Sequence, residues 1–449
     1  MKNILLFYIF ILLLFSGCQE VGDTTPLLGN KKEKQPIIIV NKNRHLNIAE
    51  FWIDRIKEPD EIIMNSKEIE MFNNNIAYKQ HLVTPFKDTN AHYGGSWLKS
   101  TIGGNFKAII KQTKYFEDGT KIKQKFINEM KNYIDLANIS DSVKTRYAIT
   151  VHYTNQRIIP TELALLKKKG DIYFDRNQNS ALDIATPLAI LHSSADGKWH
   201  YAIGEFSSGW IRDIDIAFAE KKEIVDYISS ENFIITTRAK NSLLIAGKYY
   251  DTMRMGIRLP YILTIDDMSM VLIPTRDEEG SLVLSNATIK TTHTHKGYLA
   301  YTPRNILTQA FEFLNAPYGW GGSFGEQDCS KFVQQIYATT GVRLPRNSSS
   351  QSIVGENYLE LFNLEKMTKE DKLINLAPIG ATIVHLKGHI MLYIGDYKGE
   401  PYVIQTVWGE SKRHYALGRT AVTSLSFNHY INLVDRATIL IYNDNTGVK

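Results

Sequence analysis

Cysteine is scarce in this chain: 449 residues hold two, Cys18 and Cys329, which either pair with each other or act separately. A concentrated basic face is also missing. The formal net charge of +5 is spread over short runs such as Lys167-Lys168-Lys169, which excludes the footprint of a nucleic-acid binder. No apolar run after Phe15 is long enough to span a bilayer. There is no H-E-x-x-H pattern and no phosphate-binding loop, and His293-Thr-His295 has no Cys, Asp or Glu nearby to complete a metal site. The chemistry proposed below therefore calls for no metal and no cofactor. Ser96-Trp97-Leu98-Lys99 matches the S-x-x-K pattern of acyl-serine enzymes but lacks a Lys-Thr-Gly companion, and it is set aside.

What is present begins at the N-terminus. Lys2, the apolar run Ile4 to Phe15, and Ser16-Gly17 before Cys18 read as a processed signal peptide over residues 1–17. Small residues directly before a cysteine resemble the bacterial lipobox, which implies lipid on Cys18 and membrane anchoring at the cell envelope. Gln19, which is not acidic, favours the outer membrane in a cell with two. If Cys18 carries lipid, Cys329 has no partner. A lone thiol in an oxidising compartment is a liability unless its chemistry is used, so Cys329 becomes a candidate nucleophile.

The polar stretch 18–43 reads as a tether. Residues 44–145 show helical spacing, which Gly94-Gly95 and Gly103-Gly104 are expected to break into short pieces. The period then changes to two over 146–222, with short segments at Ala148 to Val151, Thr186 to Leu191, Trp199 to Ile203 and Trp210 to Ile214. A second such run covers 232–299. Each predicts a small barrel. From 302 to 445, helices come first and strands follow, the order of an α+β domain.

Asp328-Cys329-Ser330 lies where loop becomes helix, with Phe332, Val333, Ile336 and Tyr337 on one face. Cys329 then sits in the first helical turn, where free backbone N–H groups are expected to lower its pKa. The upstream Tyr318-Gly-Trp320-Gly-Gly is expected to admit a substrate backbone closely. His389 opens an apolar strand that turns near Tyr397-Lys398-Gly399 and returns as Tyr402 to Trp408. A three-residue loop sets Asp396 opposite Glu400 and puts His389 and Gln405 on one face, so that Gln405 can orient the imidazole. A two-residue turn puts them on opposite faces. Asp328 has two readings, N-cap of the cysteine helix or partner of a substrate ammonium. Its carboxylate raises the neighbouring thiol pKa, which makes sense if the substrate supplies a cation. Arg346 reads as a loop-fixing cation.

Tyr318-Gly-Trp-Gly-Gly, Asp328-Cys329-Ser330, Leu344-Pro345-Arg346-Asn347-Ser348 with Gln351, and Gly388-His389 resemble the NlpC/p60 cell-wall cysteine peptidases. The resemblance implies a papain-like catalytic domain with Cys329 as nucleophile, His389 as base and Gln405 third, where histidine is usual. It implies substrate contacts at Asp328, Ser330, Asn347 and Ser348, with Tyr318 and Trp320 lining the pocket. Lys331 departs from the glycine common after Asp-Cys-Ser. Upstream, Arg157-Ile-Ile-Pro160-Thr161, Asp175-Arg-Asn-Gln178 and Thr186-Pro187 through Trp199 resemble the first bacterial SH3-like domain of a multi-domain subgroup. In that subgroup a helical stabilising domain and two SH3-like barrels precede the peptidase. The implied activity is cleavage of peptidoglycan stem peptides or muropeptides at the γ-D-glutamyl to L-diamino-acid bond, with a free N-terminal L-Ala recognised. A crosslink-cutting endopeptidase and a non-catalytic wall-binding lipoprotein are the alternatives.

Overall fold

The period-two segments form antiparallel sheets. A computed structural model describes residues 44–410 and 415–443, so Cys18, the signal and the tether lie outside the described residues. The first seven-stranded sheet runs, in spatial order, Ile216–Phe218, Arg146–Thr150, Pro187–Ser193, Trp199–Ile203, Ser208–Arg212, Thr154–Arg157 and Gln178–Leu182. Its inward residues, among them Ala148, Leu188, Ile190, Ala202 and Ile211, form a small core. The motif residues Arg157, Asp175 and Gln178 are structural here. The Arg157 guanidinium reaches Asp175 Oδ2 at 2.7 Å and Gln178 Oε1 at 2.9 Å.

A second seven-stranded antiparallel sheet spans Phe233–Thr236 to Thr294–Lys296 around Ile234, Leu243, Leu259, Val271 and Ile273. A helix over Lys221–Ile228 lies between the two sheets in the chain. The C-terminal sheet has six strands in the order Tyr358–Glu360, Arg436–Ile439, Thr382–Leu386, His389–Tyr397, Glu400–Glu410, Tyr415–Ser424. Alternation along these strands feeds two cores. Ile383, Ile390, Leu392 and Ile404 pack with Phe332, Val333 and Ile336 of the helix Cys329–Ala338. Val384, Met391, Tyr393 and Val403 pack on the other face with Leu361, Leu373 and Leu425.

One expectation for 44–145 is corrected. One helix, Gly95–Gln112, runs straight through Gly103-Gly104. Each internal glycine costs about 1 kcal/mol against alanine, but burying Leu98, Ile102 and Ile109 gains roughly 1.5–3 kcal/mol apiece, so the apolar face wins. The Ser96 pattern sits on this helix with Ser96 exposed. The segment also has no core of its own. Leu46, Trp52, Ile53, Met64, Phe72 and Ile76 join the C-terminal core, whereas Leu98, Ile102, Ile109, Met130 and Ile134 join Leu191, Trp199, Tyr201 and Trp210 of the first sheet. Short helices in one layer must bury their apolar stripes against something else. Among the described residues no helix is long and apolar enough to cross a membrane.

The glycine-rich loop is a second correction. Gly321 (φ 61) and Gly322 (φ 88) hold left-handed conformations. A Cβ at Gly321 meets Gln178 Cγ at 2.8 Å, and one at Gly322 meets Ala181 Cβ at 2.8 Å. The close approach these glycines permit is therefore to the first sheet's last strand, not to a substrate backbone. Gly321→Ala combines strained φ with a clash against the Gln178 side chain and a tight approach to its carbonyl oxygen at 3.2 Å, so it is expected to destabilise by about 1–3 kcal/mol. Urea unfolding monitored by tryptophan fluorescence measures this, and an unchanged midpoint refutes the packing role.

Candidate active site

Cys329 is the first residue of its helix, and Asp328 is the N-cap, its Oδ1 accepting from the Lys331 N–H at 2.9 Å. The same carboxylate accepts from the Gly321 N–H at 3.1 Å, from Ser330 Oγ at 3.2 Å, and from Arg346 at 3.0 Å (Nη1) and 2.7 Å (Nη2). The cation opposite Asp328 is thus the chain's own Arg346, and both carboxylate oxygens are occupied. The N-cap reading of Asp328 holds, and a substrate ammonium would have to share this carboxylate with Arg346. Arg346 holds its carboxyl below the usual range. Ser330, also inferred to touch substrate, is buried and committed, since its hydroxyl accepts from Arg346 Nη1 at 3.0 Å.

The thiol is pushed up, not down. Cys329 is 9% exposed, and burial, with the Asp328 carboxylate beside it, raises its pKa to about 12. Hydrogen bonding from the Ile390 N–H and the helix's own Ser330 N–H acts in the opposite direction and loses. A helix N-terminus lowers a thiol pKa only while water or a cation shares the solvation, and here burial removes the water.

The Ile390 contact puts the thiol against the start of the strand that His389 opens. His389 Nε2 lies 2.6 Å from Gln405 Oε1, and Gln405 Nε2 donates to Thr423 Oγ1 at 2.7 Å. An amide oxygen accepts, so Nε2 carries the proton and Nδ1 keeps its lone pair. Burial pushes the imidazolium down to about 4, which makes His389 a neutral base at ordinary pH. The hairpin reaches this pairing by a route the strand pattern did not contain. Its turn has two residues, Lys398 (φ 55) and Gly399 (φ 77), joining Tyr397 to Glu400. On its own that turn sends His389 and Gln405 to opposite faces. A bulge between Tyr393 and Gly395 inserts one residue and restores the parity.

Tyr318 and Trp320 stand under a roof from the first sheet's long loop. Phe174 packs 5.4 Å from Trp320 and 5.5 Å from Trp408, Tyr173 stacks 4.4 Å from Trp408, and the Arg176 guanidinium lies 4.5 Å over Trp320. The indole N–H of Trp320 is buried without a partner. Burial keeps the Tyr318 hydroxyl protonated, with the Cys329 sulfur among the groups acting on it. Asn347 and Ser348 are not drawn into this cluster. Asn347 caps the short helix Ser348–Gln351, accepting from Ser350 N at 3.0 Å, and neither residue bonds to a member of the site. Gln351, by contrast, ties Ser330 O and Pro345 O together at 2.8 Å each. Phe174, Arg176, Trp408, Thr423 and the Ile390 N–H were not singled out from sequence. Thr423 lies on the strand after that of Gln405, and nothing in the pattern marked it. Among the described residues no three His, Cys, Asp or Glu side chains converge as a metal site.

Residues 315–407, which contain Cys329, His389 and Gln405, match the NlpC/P60 family, and residues 164–212 match the SH3 domain of SH3b1 type. The chain therefore carries an NlpC/P60 domain behind an SH3-like domain in a mixed α and β architecture. It is 27% identical over 199 residues to a gamma-D-glutamyl-L-lysine dipeptidyl-peptidase of Bacillus cereus, covering 42% of this chain and 54% of that one. It is 32% identical over 98 residues to the protein of the same name in Bacillus subtilis, covering 22% of this chain and 31% of that one. The chain thus spans about half or less of the curated relatives it matches. In fold it is similar to an NlpC/P60 endopeptidase from Photobacterium damselae subsp. piscicida, with a TM-score of 0.72 at 21% identity, covering 87% of this chain and 96% of that one. An NlpC/P60 family protein from Bacillus cereus has a TM-score of 0.50 at 17% identity, covering 66% and 99%.

A buried thiol held near 12 reacts slowly at neutral pH. Alkylation of Cys329 by iodoacetamide is expected to be at least tenfold slower at pH 7 than that of a free thiol and to climb through the alkaline range. His389→Ala is expected to slow it further. Rapid alkylation at pH 7 indicates a thiolate and overturns the neutral resting state.

Proposed function

We propose that this protein is a cysteine peptidase of the cell envelope that cleaves peptidoglycan stem peptides at the γ-D-glutamyl to L-diamino-acid bond. The observation that carries the reading is the Cys329 thiol set beside Ile390 at the mouth of the His389–Gln405–Thr423 chain. His389 Nδ1 takes the thiol proton as sulfur attacks the γ-glutamyl carbonyl carbon. The oxyanion is met by the Cys329 N–H, one of the unpaired donors at the helix start, and by the Tyr318 hydroxyl. The protonated imidazole then gives its proton to the departing amine as the C–N bond breaks, leaving a thioester. Water, deprotonated by His389, hydrolyses the thioester and returns the thiol.

The bond choice is supported by the gamma-D-glutamyl-L-lysine dipeptidyl-peptidase names of the two Bacillus relatives and by the form of the cleft. The roof of Tyr173, Phe174 and Arg176 over Tyr318, Trp320 and Trp408 closes one side and favours short peptides with an unblocked L-Ala end.

Cys329→Ala is expected to abolish release of L-Ala-γ-D-Glu from purified stem peptides, read by mass spectrometry. Turnover retained by the variant, or release only of crosslink fragments, rejects the reading. Gln405→Ala is expected to lower kcat/KM by about 10–100-fold, because the imidazole loses its tautomer partner. With the His389 pKa lowered to about 4, the base stays neutral and kcat/KM holds until the pH falls to that value, not the usual 6.5. An acid limb centred near 6.5 contradicts this burial.

Membrane attachment through lipid on Cys18, facing the envelope, belongs to the same proposal. It rests on the Ser16-Gly17-Cys18 pattern alone. Labelled palmitate is expected to enter the wild-type chain and not Cys18→Ala, which should leave the membrane fraction. Equal labelling of both rejects the anchor.

A further inference from the structure

A cavity of about 430 Å³ lies where the two seven-stranded sheets meet the cysteine helix. It is lined by Asp183 and Glu205 from the first sheet's segment, by Arg258 from the second, and by Lys331, Gln335 and Arg346 from the C-terminal part. Cys329, His389, Tyr318 and Trp320 are absent from its walls, so it is separate from the thiol cleft.

The charges around it do not balance. Arg254 grips Asp183 with two hydrogen bonds, at 2.9 and 2.7 Å, and Arg346 grips Asp328 in the same bidentate way. Each buried carboxylate therefore already has its cation. Lys331 is a third buried cation, its side chain 14% exposed. Its ammonium donates to the neutral Gln334 Oε1 at 3.0 Å and comes no closer than 4.0 Å to Asp183. A buried ammonium with one neutral partner is costly and calls for an anion. Burial and the neighbouring arginine lower its pKa to about 7.

The rest of the wall is also short of partners. Gln335 is 2% exposed, yet neither its amide oxygen nor its amide nitrogen has a hydrogen bond. Glu205 Oε1 and Arg258 Nε, both on the wall, are also buried without a hydrogen bond, although Glu205 Oε2 pairs with Arg343 and the two Arg258 Nη atoms donate to the Ile228 and Ser230 carbonyls. Orphaned polar groups of this kind are rare in a finished structure, and four atoms around one cavity point to a polar occupant. Ile235, Met255 and Ile257 supply apolar wall, and the volume suits a molecule the size of an amino acid or dipeptide.

We propose that this cavity is a second ligand site, apart from the Cys329 cleft, that takes a small organic carboxylate with Lys331 as its counter-ion and the Gln335 amide as its second contact. Glutarate serves as probe and glutaramide as its uncharged control, in thermal-shift and calorimetric titrations of the full chain. Glutarate is expected to raise Tm and glutaramide to leave it unchanged. The shift should survive alkylation of Cys329, which fills the other cleft. Lys331→Met is expected to weaken glutarate at least tenfold while leaving the ligand-free Tm equal to or above that of the wild type, because an unpaired buried cation has gone. If Lys331→Met does not fold, Gln335→Met, which keeps the side-chain volume and removes the orphan amide, is expected to weaken glutarate by the same measure. The proposal is overturned by a wild-type protein that ignores glutarate, by a shift that persists in both variants, or by one that vanishes on alkylation. It is also overturned by a folded Lys331→Met of clearly lower ligand-free Tm, which shows Lys331 already compensated by Asp183.

Discussion

The helix and loop that carry Cys329, Tyr318 and Trp320 hang on one buried ion pair, Arg346 with Asp328. Asp328 caps the cysteine helix, and through Gly321 it also fixes the loop that carries Tyr318 and Trp320. Arg346 extends the same connection outward, its Nε donating to Ser180 Oγ of the first sheet at 2.9 Å. Helix start, glycine loop and SH3-like domain are thus locked by one charge pair with few polar loose ends. A pair in this setting adds little net stability over an apolar substitute, but removing one partner strands the other at a cost of about 3–5 kcal/mol. Its worth lies in specifying position.

That choice sets the chemistry. A carboxylate adjoining a thiol opposes the thiolate, and burial opposes it further, so cysteine and histidine rest as neutral partners. Reaction then requires proton transfer coupled to attack, with the oxyanion donors stabilising charge only once it develops. A protonated, enclosed thiol is also poorly oxidised, because oxidation follows thiolate character and access.

The His389–Gln405 pair shows how indirect the route to a site can be. A two-residue type I′ turn, forced by positive φ at Lys398 and Gly399, gives the wrong parity, and a single inserted residue beside Gly395 corrects it. Turn and bulge together keep the register that a three-residue loop gives. The strand pattern therefore led to the right face through the wrong turn. Bulges leave almost no trace in a hydrophobic pattern, because they change which residues pair and not which are apolar.

By itself the sequence determined what is local and chemical. Its periodicities set three sheets and a helical face behind Cys329, and its motif residues marked the thiol, the imidazole and the amide, because period and residue type are properties of a short stretch of chain. Tertiary structure alone decided how those parts are used. The helical N-terminal segment divides among neighbouring cores, Gly321 and Gly322 receive a neighbouring strand instead of a substrate, Asp328 is held by Arg346, and the thiol rises where a helix N-terminus promised a fall. Each of these depends on what lies opposite a residue in space and how much water remains there, and neither quantity is written in the order of residues along the chain.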